Sequence, residues 1–531
     1  MFNRERSLRL LLIGVLVSLV AGTPRASFDS AQDKQTHADR AQVLEAMKRA
    51  TTFMVEKISY KGGYLWSYLP DMTRRWGEME ATPTMIWIQP PGTPTMGHLF
   101  LDAYHATGDE YYYRAAEQVA SALMFAQHPS GGWNYIADFA GEAALKKWYD
   151  TIGKNGWRLE EFQHYYGNAT FDDAGTAESA KLFLRLYLEK KDASYKAPLD
   201  KAIKFVLDSQ YPIGLWPQRF PNADAAPLHG MPDYTRYATF NDDVAGENMD
   251  FLLLCYQALG DQKLLDPIVR GMNAFIVTQL GQPQPGWGLQ HTLDLLPAAA
   301  RSYEPKALVT HTTATNIELM LRFYRLTGET KFLARIPEAI DWLDKLTLPP
   351  GVAPPGRTHP TFVELGTNEG LYVHREGSNV VNGRYYVDKN PRNTIQHYSS
   401  FRKIDVAGLR AQYESAKKLA PAEIVKTSPL KLPAGTIPLP KYHTVTGGGD
   451  AAALVASLNR EGYWLTPIGY NSHPYKSDGS KTVQPGDYSQ THVGDDTDTS
   501  PYPDPKLMGI SIEAYIRNMG ILIRAVDPPR N

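Results

Sequence analysis

The sequence contains almost no cysteine and no dense run of basic residues. Only one of the 531 residues is cysteine, Cys255, and it lies in an apolar stretch. An intrachain disulfide is therefore excluded, and a buried thiol is expected. Lys and Arg number 55 against 57 Asp and Glu, which gives a formal net charge of −2. This balance argues against binding to nucleic acid or to a membrane surface through a basic patch.

The chain also lacks several catalytic motifs. It has no Gly-x-Ser-x-Gly elbow, no His-Glu-x-x-His pair and no phosphate-binding loop, which argues against the hydrolase, metalloprotease and nucleotide-binding classes that carry them. No apolar run is long enough to span a bilayer. The longest one, 10–21, follows Arg4, Arg6 and Arg9 and precedes small residues.

This N-terminal order predicts a secretory signal peptide over 1–26, with an uncleaved signal anchor as the alternative. We therefore expect a secreted or periplasmic protein without a membrane segment after signal removal. We also expect it to be a monomer.

A spaced repeat predicts helix pairs. Each copy has a tyrosine, a glycine four residues later and an acidic residue directly after the glycine. The copies begin at Tyr104, Tyr256 and Tyr324, and a worn copy at Tyr187 has Lys191 in place of glycine. Glycine suits the left-handed cap that ends a helix, and an acidic residue suits the start of the next helix.

A second pattern follows the first at a constant distance. Twenty-three residues after three of these tyrosines come Gln127, Gln210 and Gln279, each at the start of a loop that contains a tryptophan. Units of two helices and a loop stack on one another. The sequence thus predicts an all-α fold, an (α/α) toroid of helix-pair repeats with irregular and short-strand C-terminal additions. We assign 41–424 to the toroid catalytic domain and 425–531 to a C-terminal extension packed on it, with helices over 41–59, 405–419 and 507–524.

Polar residues recur where a new helix pair begins. The motif Thr-Phe-Asp-Asp at 170–173 and the motif Thr-Phe-Asn-Asp-Asp at 239–243 occupy the same place in their units, so we expect them on one rim of the toroid. Simple helix capping is the alternative, because Asp and Asn are common N-cap residues. Two carboxylate clusters on one rim suit either a Ca²⁺ site or the acid and base of a glycosidase.

Further motifs appear in order along the chain. They are the run 208–221 with Trp-Pro-Gln-Arg-Phe-Pro at its end, Trp-Gly-Leu-Gln-His at 287–291, Ala-Arg-Ser-Tyr-Glu at 300–304, Glu-Leu-Gly-Thr-Asn at 364–368 and Gly-Thr-Pro-Thr-Met-Gly at 92–97. Together with the two rim motifs, they resemble the pectic acid lyases of polysaccharide lyase family 10 over roughly 90–380. The resemblance implies an (α/α) toroid that cleaves polygalacturonate by β-elimination with the assistance of Ca²⁺.

The same resemblance implies roles for individual residues. Asp172 and Asp242 match acidic residues of the calcium and substrate site, Arg301 matches the base, and Arg375 matches an arginine that binds a substrate carboxylate. An arginine base needs surroundings that favour the neutral guanidinium, which is otherwise always protonated. A surface ion pair between Arg301 and Glu304 is the alternative to a functional role.

Four more residues are expected to contact the substrate. They are Asn241, Trp216, Gln290 and His291, and Trp287 is added as a second ring on which a sugar can stack. For the tryptophans, packing in the core is an equal alternative. The expected partner is an acidic polysaccharide.

One departure from the family pattern leaves the substrate and the activity open. Thr361 stands where the family has an arginine, so one carboxylate-binding group is missing. Two alternatives remain: a glycoside hydrolase on the same toroid, with Asp172 and Asp242 as acid and base, and a polysaccharide-binding protein without catalysis.

Overall fold

The computed structural model describes residues 39–153, 160–376, 384–392, 394, 398–468 and 507–527. In these ranges the chain is mostly helical, and its helix pairs form an (α/α) toroid, as predicted. The predicted signal peptide lies outside the described residues. The α-helices are α1 (Arg40–Phe53), α2 (Thr93–Thr107), α3 (Glu110–Ala126), α4 (Glu142–Thr151), α5 (Gly175–Lys190), α6 (Ala193–Ser209), α7 (Val244–Leu259), α8 (Leu265–Thr278), α9 (Thr310–Thr327), α10 (Ile336–Lys345), α11 (Val406–Lys417), α12 (Pro421–Ile424), α13 (Ala451–Ser457) and α14 (Ile512–Val526).

The helices form two layers. The inner helices α2, α5, α7 and α9 are buried along most of their length, whereas the outer helices α3, α6, α8 and α10 bury mainly one face. Helix α5 packs against α2, α6 and α7, and α9 packs against α8, α10 and α11. This arrangement brings the starts of successive inner helices next to one another.

The repeated glycines end the inner helices as predicted. Gly108, Gly260 and Gly328 have φ angles of 72°, 72° and 71°, in the left-handed region. Each amide donates to the carbonyl of the tyrosine four residues earlier. In the worn copy, Lys191 adopts the same conformation with φ 55° and makes the same bond to Tyr187. The repeat is therefore a turn with one backbone geometry.

The glutamine and tryptophan of each loop also have repeated partners. The side-chain amides of Gln127, Gln210 and Gln279 each donate to a carbonyl of their own loop and to a carbonyl of the next outer helix or its start. The indoles of Trp133, Trp216 and Trp287 donate to carbonyls of the preceding helix: those of Leu123, Val206 and Phe275. All three tryptophans have zero relative exposure. Trp216 and Trp287 thus occupy the core and present no ring face on which a sugar could stack.

The strands are short and lie between the helices. They are β1 (Ser67–Tyr68), β2 (Arg75–Trp76), β3 (Met85–Trp87), β4 (Ile136–Asp138), β5 (Ala169–Thr170), β6 (Arg219–Phe220), β7 (Ala238–Thr239), β8 (Gln290–His291), β9 (Pro297–Ala298), β10 (Leu308–Val309), β11 (His359–Pro360), β12 (Phe362–Val363), β13 (Gly370–Glu376), β14 (Arg384–Asp388), β15 (Phe401–Arg402), β16 (Thr466–Ile468) and β17 (Leu507–Ser511). Antiparallel pairs β5–β6 and β7–β8 link the loops that precede α5 and α7 to the tryptophan loops.

The C-terminal part packs on the N-terminal part. Strand β17 pairs with β1 and β16, and α14 packs against α1 and α2. The sequence predicts a single helix over 507–524, but the structure has β17 first and begins the helix at Ile512. The reason is the cap: the Ser511 hydroxyl accepts from the amide of Ala514, and the residues before it pair with β1. Asp405 caps α11 in a similar way by accepting from the amide of Gly408.

The N-terminal helical segment has the predicted extent to within one residue at each end. Over 41–59 the structure has α1, followed by a π-helical turn at Met54–Ile58. None of the helices in the described ranges combines the length and the apolar content of a membrane span.

Candidate functional site

The loops that lead into α5 and α7 have the same strained backbone. A short 3-10 turn at Asp172–Ala174 precedes α5, and another at Asn241–Asp243 precedes α7. Two successive residues in each turn have positive φ: Asp173 (53°) and Ala174 (61°) in one, and Asp242 (50°) and Asp243 (56°) in the other. Non-glycine residues rarely adopt this conformation, and runs of it occur mainly at functional sites.

The acidic residues of these turns do not cap the helices that follow. Neither α5 nor α7 has a side-chain hydrogen bond at its N-cap. The capping alternative therefore fails for this rim, and the two turns pack against each other as predicted for a shared site.

Asp172 lies at the centre of a buried polar cluster. Its Oδ2 accepts a hydrogen bond from the Tyr135 hydroxyl at 2.5 Å and one from Arg301 Nη2 at 2.7 Å. Its Oδ1 is also buried, and no amide, guanidinium or hydroxyl of the described residues is bonded to it. The Asp242 carboxyl lies close enough to Asp172 to share a proton with it. Two buried carboxyl groups thus meet at this point.

Arg301 is almost fully buried, and three carboxylates surround it. Besides Asp172, Nη1 donates to Glu304 Oε1 at 3.0 Å, and Nε lies 3.3 Å from Glu161 Oε2. Glu304 also accepts the backbone amide of Arg301 at 2.9 Å. The predicted alternative of a surface ion pair with Glu304 is therefore wrong, because both side chains are 3% exposed or less.

These contacts keep Arg301 charged. Burial alone would lower the pKa of its guanidinium, but Tyr234 and the neighbouring carboxylates raise that pKa well above its ordinary value. Burial would raise the pKa of Asp172, but Arg301 and the hydrogen bonds from Asp242 and Tyr135 hold it below its usual range. Arg301 is thus a cation in this geometry.

Three further carboxyl groups near Arg301, those of Asp242, Glu161 and Glu160, have raised pKa values. Burial, followed by the charges of Asp172 and Asp173, raises the pKa of Asp242 well above its ordinary value. Burial raises the pKa of Glu161 to about 8, against the opposing effect of Arg301. Burial also raises the pKa of Glu160 to about 7, although Ser302 donates to it. Acidic groups therefore outnumber the positive charge available to them.

Asn241 joins the two sides of the cluster. Its Nδ2 donates to Asp242 Oδ2 at 2.9 Å, to the Tyr398 hydroxyl at 3.1 Å and to Glu304 Oε1 at 3.2 Å. Tyr398 donates to the same Glu304 oxygen. The structure thus brings Asp172, Asn241, Asp242 and Arg301 together from three separate loops.

The other predicted residues lie outside this cluster or outside the described part. Gln290 is buried in β8, and its side-chain amide has no hydrogen-bond partner among the described residues. His291 is buried as well: Nε2 accepts from the amide of Gly288, Nδ1 bonds to Leu295, and burial lowers the pKa to about 4. Arg375 lies in β13, opposite Tyr385, with its side chain outside the described part.

The sequence did not point to several members of the cluster. Glu161 and Tyr398 come from segments without a repeated motif, and Tyr135 follows the tryptophan of one repeated loop by two residues; only the fold brings the three into the cluster. Glu304 carries a usable signal, since it lies three residues after Arg301 in the motif at 300–304. Thr361 is fully buried and donates to the carbonyl of Ser399.

The donor set of the cluster fits a hard divalent cation. The Asp172 and Asp242 carboxylates and the side-chain oxygen of Asn241 are oxygen ligands of the kind that calcium prefers. Two buried carboxyl groups that meet side by side, those of Asp172 and Asp242, are the observation that supports the fit.

Residues 138–315 match the family model of pectic acid lyase. The matched segment contains Asp172, Asp242 and Arg301 and ends before Arg375. The match confirms the resemblance that the sequence predicts. With it, the enzyme class is confirmed as a polysaccharide lyase.

The chain is also similar to solved structures. One is a mutant of the family 10 polysaccharide lyase from Cellvibrio cellulosa in complex with trigalacturonic acid, 16% identical, covering 61% of this chain and 98% of that chain with a TM-score of 0.41. The family 10 lyase itself is 16% identical over 62% of this chain and 95% of that chain, with a TM-score of 0.36. An α-1,6-mannanase from Salegentibacter sp. HEL1_6 is 14% identical, and the match covers 60% of this chain and 73% of that chain with a TM-score of 0.32. No curated protein matches the chain.

Proposed function

We propose that the protein cleaves polygalacturonate, or a related uronate polysaccharide, by calcium-assisted β-elimination. One observation carries the proposal: Asp172, Asp242 and Arg301 converge in one buried cluster inside the segment that matches pectic acid lyase. In this reaction the proton leaves the carbon next to the uronate carboxylate, and its electron pair forms the C4–C5 double bond. The bond from C4 to the glycosidic oxygen then breaks, and the departing oxygen takes a proton from solvent.

Asp172 and Asp242 are the proposed calcium ligands, with Asn241 beside them. When bound there, calcium would neutralise the substrate carboxylate and make the neighbouring proton more acidic. Asn241 also fixes the orientation of Asp242 and Glu304, because its amide donates to both. Burial excludes water from the cluster and so strengthens its electrostatic interactions.

Arg301 is proposed as the base that accepts the substrate proton. Its three carboxylate partners favour the protonated form, so a base role requires that part of this negative charge be neutralised first. Proton uptake by Glu161, whose pKa is raised to about 8 by burial, already removes one such charge at neutral pH. Glu304 holds both the backbone amide and the guanidinium of Arg301 and so orients the side chain.

The hydrogen bond between the Asp172 and Asp242 carboxyl groups supports elimination over hydrolysis. The two carboxyl groups of a retaining glycosidase are about 5–5.5 Å apart, and those of an inverting enzyme are further apart. Asp172 and Asp242 are close enough to share a proton instead. A pair this close suits a shared cation better than the two faces of a sugar ring.

Several expectations from the sequence stay part of the proposal. Arg375, Gln290 and His291 are proposed to bind or support the substrate, and export as a monomer is proposed from the signal pattern. The division into a toroid domain over 41–424 and an extension over 425–531 is likewise retained.

The test is an assay of the purified protein on polygalacturonate with calcium and with a chelator, following the ultraviolet absorbance of the C4–C5 double bond. We expect the absorbance to grow only with calcium. New reducing ends without absorbance would indicate hydrolysis. Binding of oligogalacturonate without either signal would indicate a polysaccharide-binding protein.

A further inference from the structure

A second arginine beside the candidate site has no carboxylate partner. Three arginines are buried in the part of the chain that the structure describes: Arg185, Arg219 and Arg301. Arg185 pairs with Asp102 at 2.6 Å, and Arg301 pairs with three carboxylates. No carboxylate of the described residues forms an ion pair with Arg219. A buried guanidinium without a counter-ion is costly, so buried charges are nearly always paired.

The groups around Arg219 form what we call the Arg219 pocket: Asn134, Asn168, Tyr135 and Tyr166. Nη1 donates to Asn134 Oδ1 at 3.2 Å and to Asn168 Oδ1 at 3.3 Å. The guanidinium carbon lies 5.0 Å from the centre of the Tyr135 ring and 4.8 Å from that of Tyr166. Nη2 is buried and has no hydrogen-bond partner among the described residues. Neutral groups thus hold the guanidinium in place through Nη1 and leave Nη2 without a hydrogen bond.

The asparagines are themselves fixed by other bonds. Asn134 Nδ2 donates to the Tyr149 hydroxyl at 3.1 Å, and Asn168 Nδ2 donates to the carbonyl of Pro221 at 2.8 Å. Their amide oxygens therefore have to face Arg219. The pocket is preorganised, with the guanidinium orientation set before any ligand arrives.

The pocket is next to the candidate site. Arg219 lies in β6 opposite Thr170 in β5, two residues before Asp172. Tyr135 contacts both regions, since its ring lies beside Arg219 and its hydroxyl donates to Asp172. Tyr166 covers the other side of Arg219 and is partly exposed, so this ring is the part of the pocket nearest to solvent.

We infer that Arg219 binds a carboxylate of a second uronate unit while an adjacent unit occupies the Asp172 and Arg301 cluster. The inference rests on the proposed function. A guanidinium offers two parallel N–H groups that match the two oxygens of a carboxylate. Such a contact would make the enzyme prefer polymers with neighbouring free carboxylates.

The first test compares Arg219→Gln with Arg236→Gln on polygalacturonate. Arg236 is an exposed arginine of the following loop whose guanidinium donates to the carbonyl of Ala223. We expect Arg219→Gln to raise KM at least about tenfold and to change kcat less than about threefold, since the lost contact binds substrate and lies outside the reacting group. The Arg236→Gln variant should have the same KM and kcat as the wild type. An unchanged KM in a folded Arg219→Gln protein, with the wild type active, overturns the inference and leaves the proposed function intact.

Asn134→Asp separates binding from a purely structural role and avoids removing the buried arginine. The new carboxylate lies where it accepts from Arg219, and the Tyr149 hydroxyl can donate to it. We expect the thermal midpoint to stay equal or rise while KM rises about tenfold, because the guanidinium is then occupied internally. A structural role alone predicts the same midpoint with an unchanged KM, which refutes the inference.

Calorimetric titration with trigalacturonate keeps the test independent of turnover. Wild-type binding that is weakened about tenfold in both variants supports the inference even if no elimination is detected. If the wild type neither cleaves nor binds, the proposed function fails and the inference fails with it.

Discussion

Two buried arginines, only one tyrosine ring apart, have surroundings of opposite electrostatic character. Arg301 has three carboxylates around it, and further acidic groups beyond them have raised pKa values. Arg219 is held by two amide oxygens and two phenol rings, and among the described residues it has no negative partner. The first region carries excess negative charge and suits a cation. The second carries unpaired positive charge and suits an anion.

The contrast indicates how an acidic polymer and a metal ion can be recognised together. A polyuronate chain with bound calcium presents positive and negative groups side by side. A site with only carboxylates would repel the polymer, and a site with only arginines would exclude the metal. The four predictions below test this division of charge, in order of decreasing effect.

Arg301→Gln should cause the largest loss. We expect kcat on polygalacturonate to fall by about 10³-fold or more, since a group acting on the transferred proton contributes about 10²–10⁴-fold. The measurement is the rate of absorbance growth in calcium, normalised to folded protein by circular dichroism. Removing Arg301 also leaves buried carboxylates without a counter-ion, so a lower thermal midpoint is expected.

Arg185→Gln is the matched control for losing a buried ion pair, because Asp102 lies elsewhere in the fold and keeps its bonds to the backbone of His443 and Thr444. Its midpoint should fall with little change in kcat per folded molecule. If Arg301→Gln retained a tenth of the wild-type kcat, Arg301 would not act on the proton.

Asp172→Asn should raise the calcium concentration needed for half-maximal activity by about tenfold or more, because the number of charged ligands sets calcium affinity. Arg219→Gln should leave the calcium requirement unchanged and raise KM instead. The two variants together therefore distinguish the cation site from the anion site. Asp261→Asn is the control: Asp261 caps a distant helix turn by accepting from the amide of Lys263, and asparagine caps equally well. An unchanged calcium requirement in Asp172→Asn would remove Asp172 from the metal site.

The repeat and the rim could be predicted because their signals are local. A glycine at the end of a helix specifies a left-handed cap without reference to the rest of the chain, and Gly108, Gly260 and Gly328 all adopt it. The shared Thr-Phe motifs likewise located two turns of the same geometry.

The rest depends on tertiary packing, which no local pattern encodes. The same Gly/Trp motif that suggested sugar stacking places Trp216 and Trp287 in the core, because the indole N–H groups find backbone partners there. Arg219 belongs to a motif that the sequence does contain, but its lack of a carboxylate emerges only when the surrounding elements are assembled. The strand at Leu507–Ser511 needs β1, more than 400 residues away in sequence, as its partner.

The two regions should also differ in their response to pH. Without calcium, Glu161 has a pKa of about 8 and holds a proton at neutral pH, and burial raises the pKa of Asp242 well above its ordinary value. The folded chain therefore binds more protons than the unfolded chain, so the metal-free protein loses stability as pH rises toward and through 8. The slope is about 1.4 kcal/mol per pH unit for each proton. Arg219 does not titrate in this range.

The measurement is the thermal midpoint from pH 6 to 9, in chelator and in calcium. We expect a fall with pH in chelator that calcium diminishes, because calcium replaces the protons on the carboxylates. Calcium binding at pH 7 should therefore release protons, detectable by calorimetry in buffers of different ionisation enthalpy. A thermal midpoint that does not change with pH in chelator would contradict the excess of acidic groups around Arg301. Calcium binding without proton release would contradict it as well.

Tyr135→Phe should have the smallest effect and probe the boundary between the two regions. The change removes the hydroxyl that donates to Asp172 and keeps the ring beside Arg219. Loss of one hydrogen bond to a charged group is worth about 1.5–3 kcal/mol, and calcium on Asp172 would compensate part of it. We therefore expect a two- to tenfold change in calcium requirement and no change in trigalacturonate binding at saturating calcium.

Asn134→Asp serves as the reciprocal variant, since it alters the Arg219 pocket and leaves the Tyr135 hydroxyl in place. If Tyr135→Phe weakened oligosaccharide binding as much as Arg219→Gln does, the two regions would act as one site rather than as a cation site and an anion site side by side.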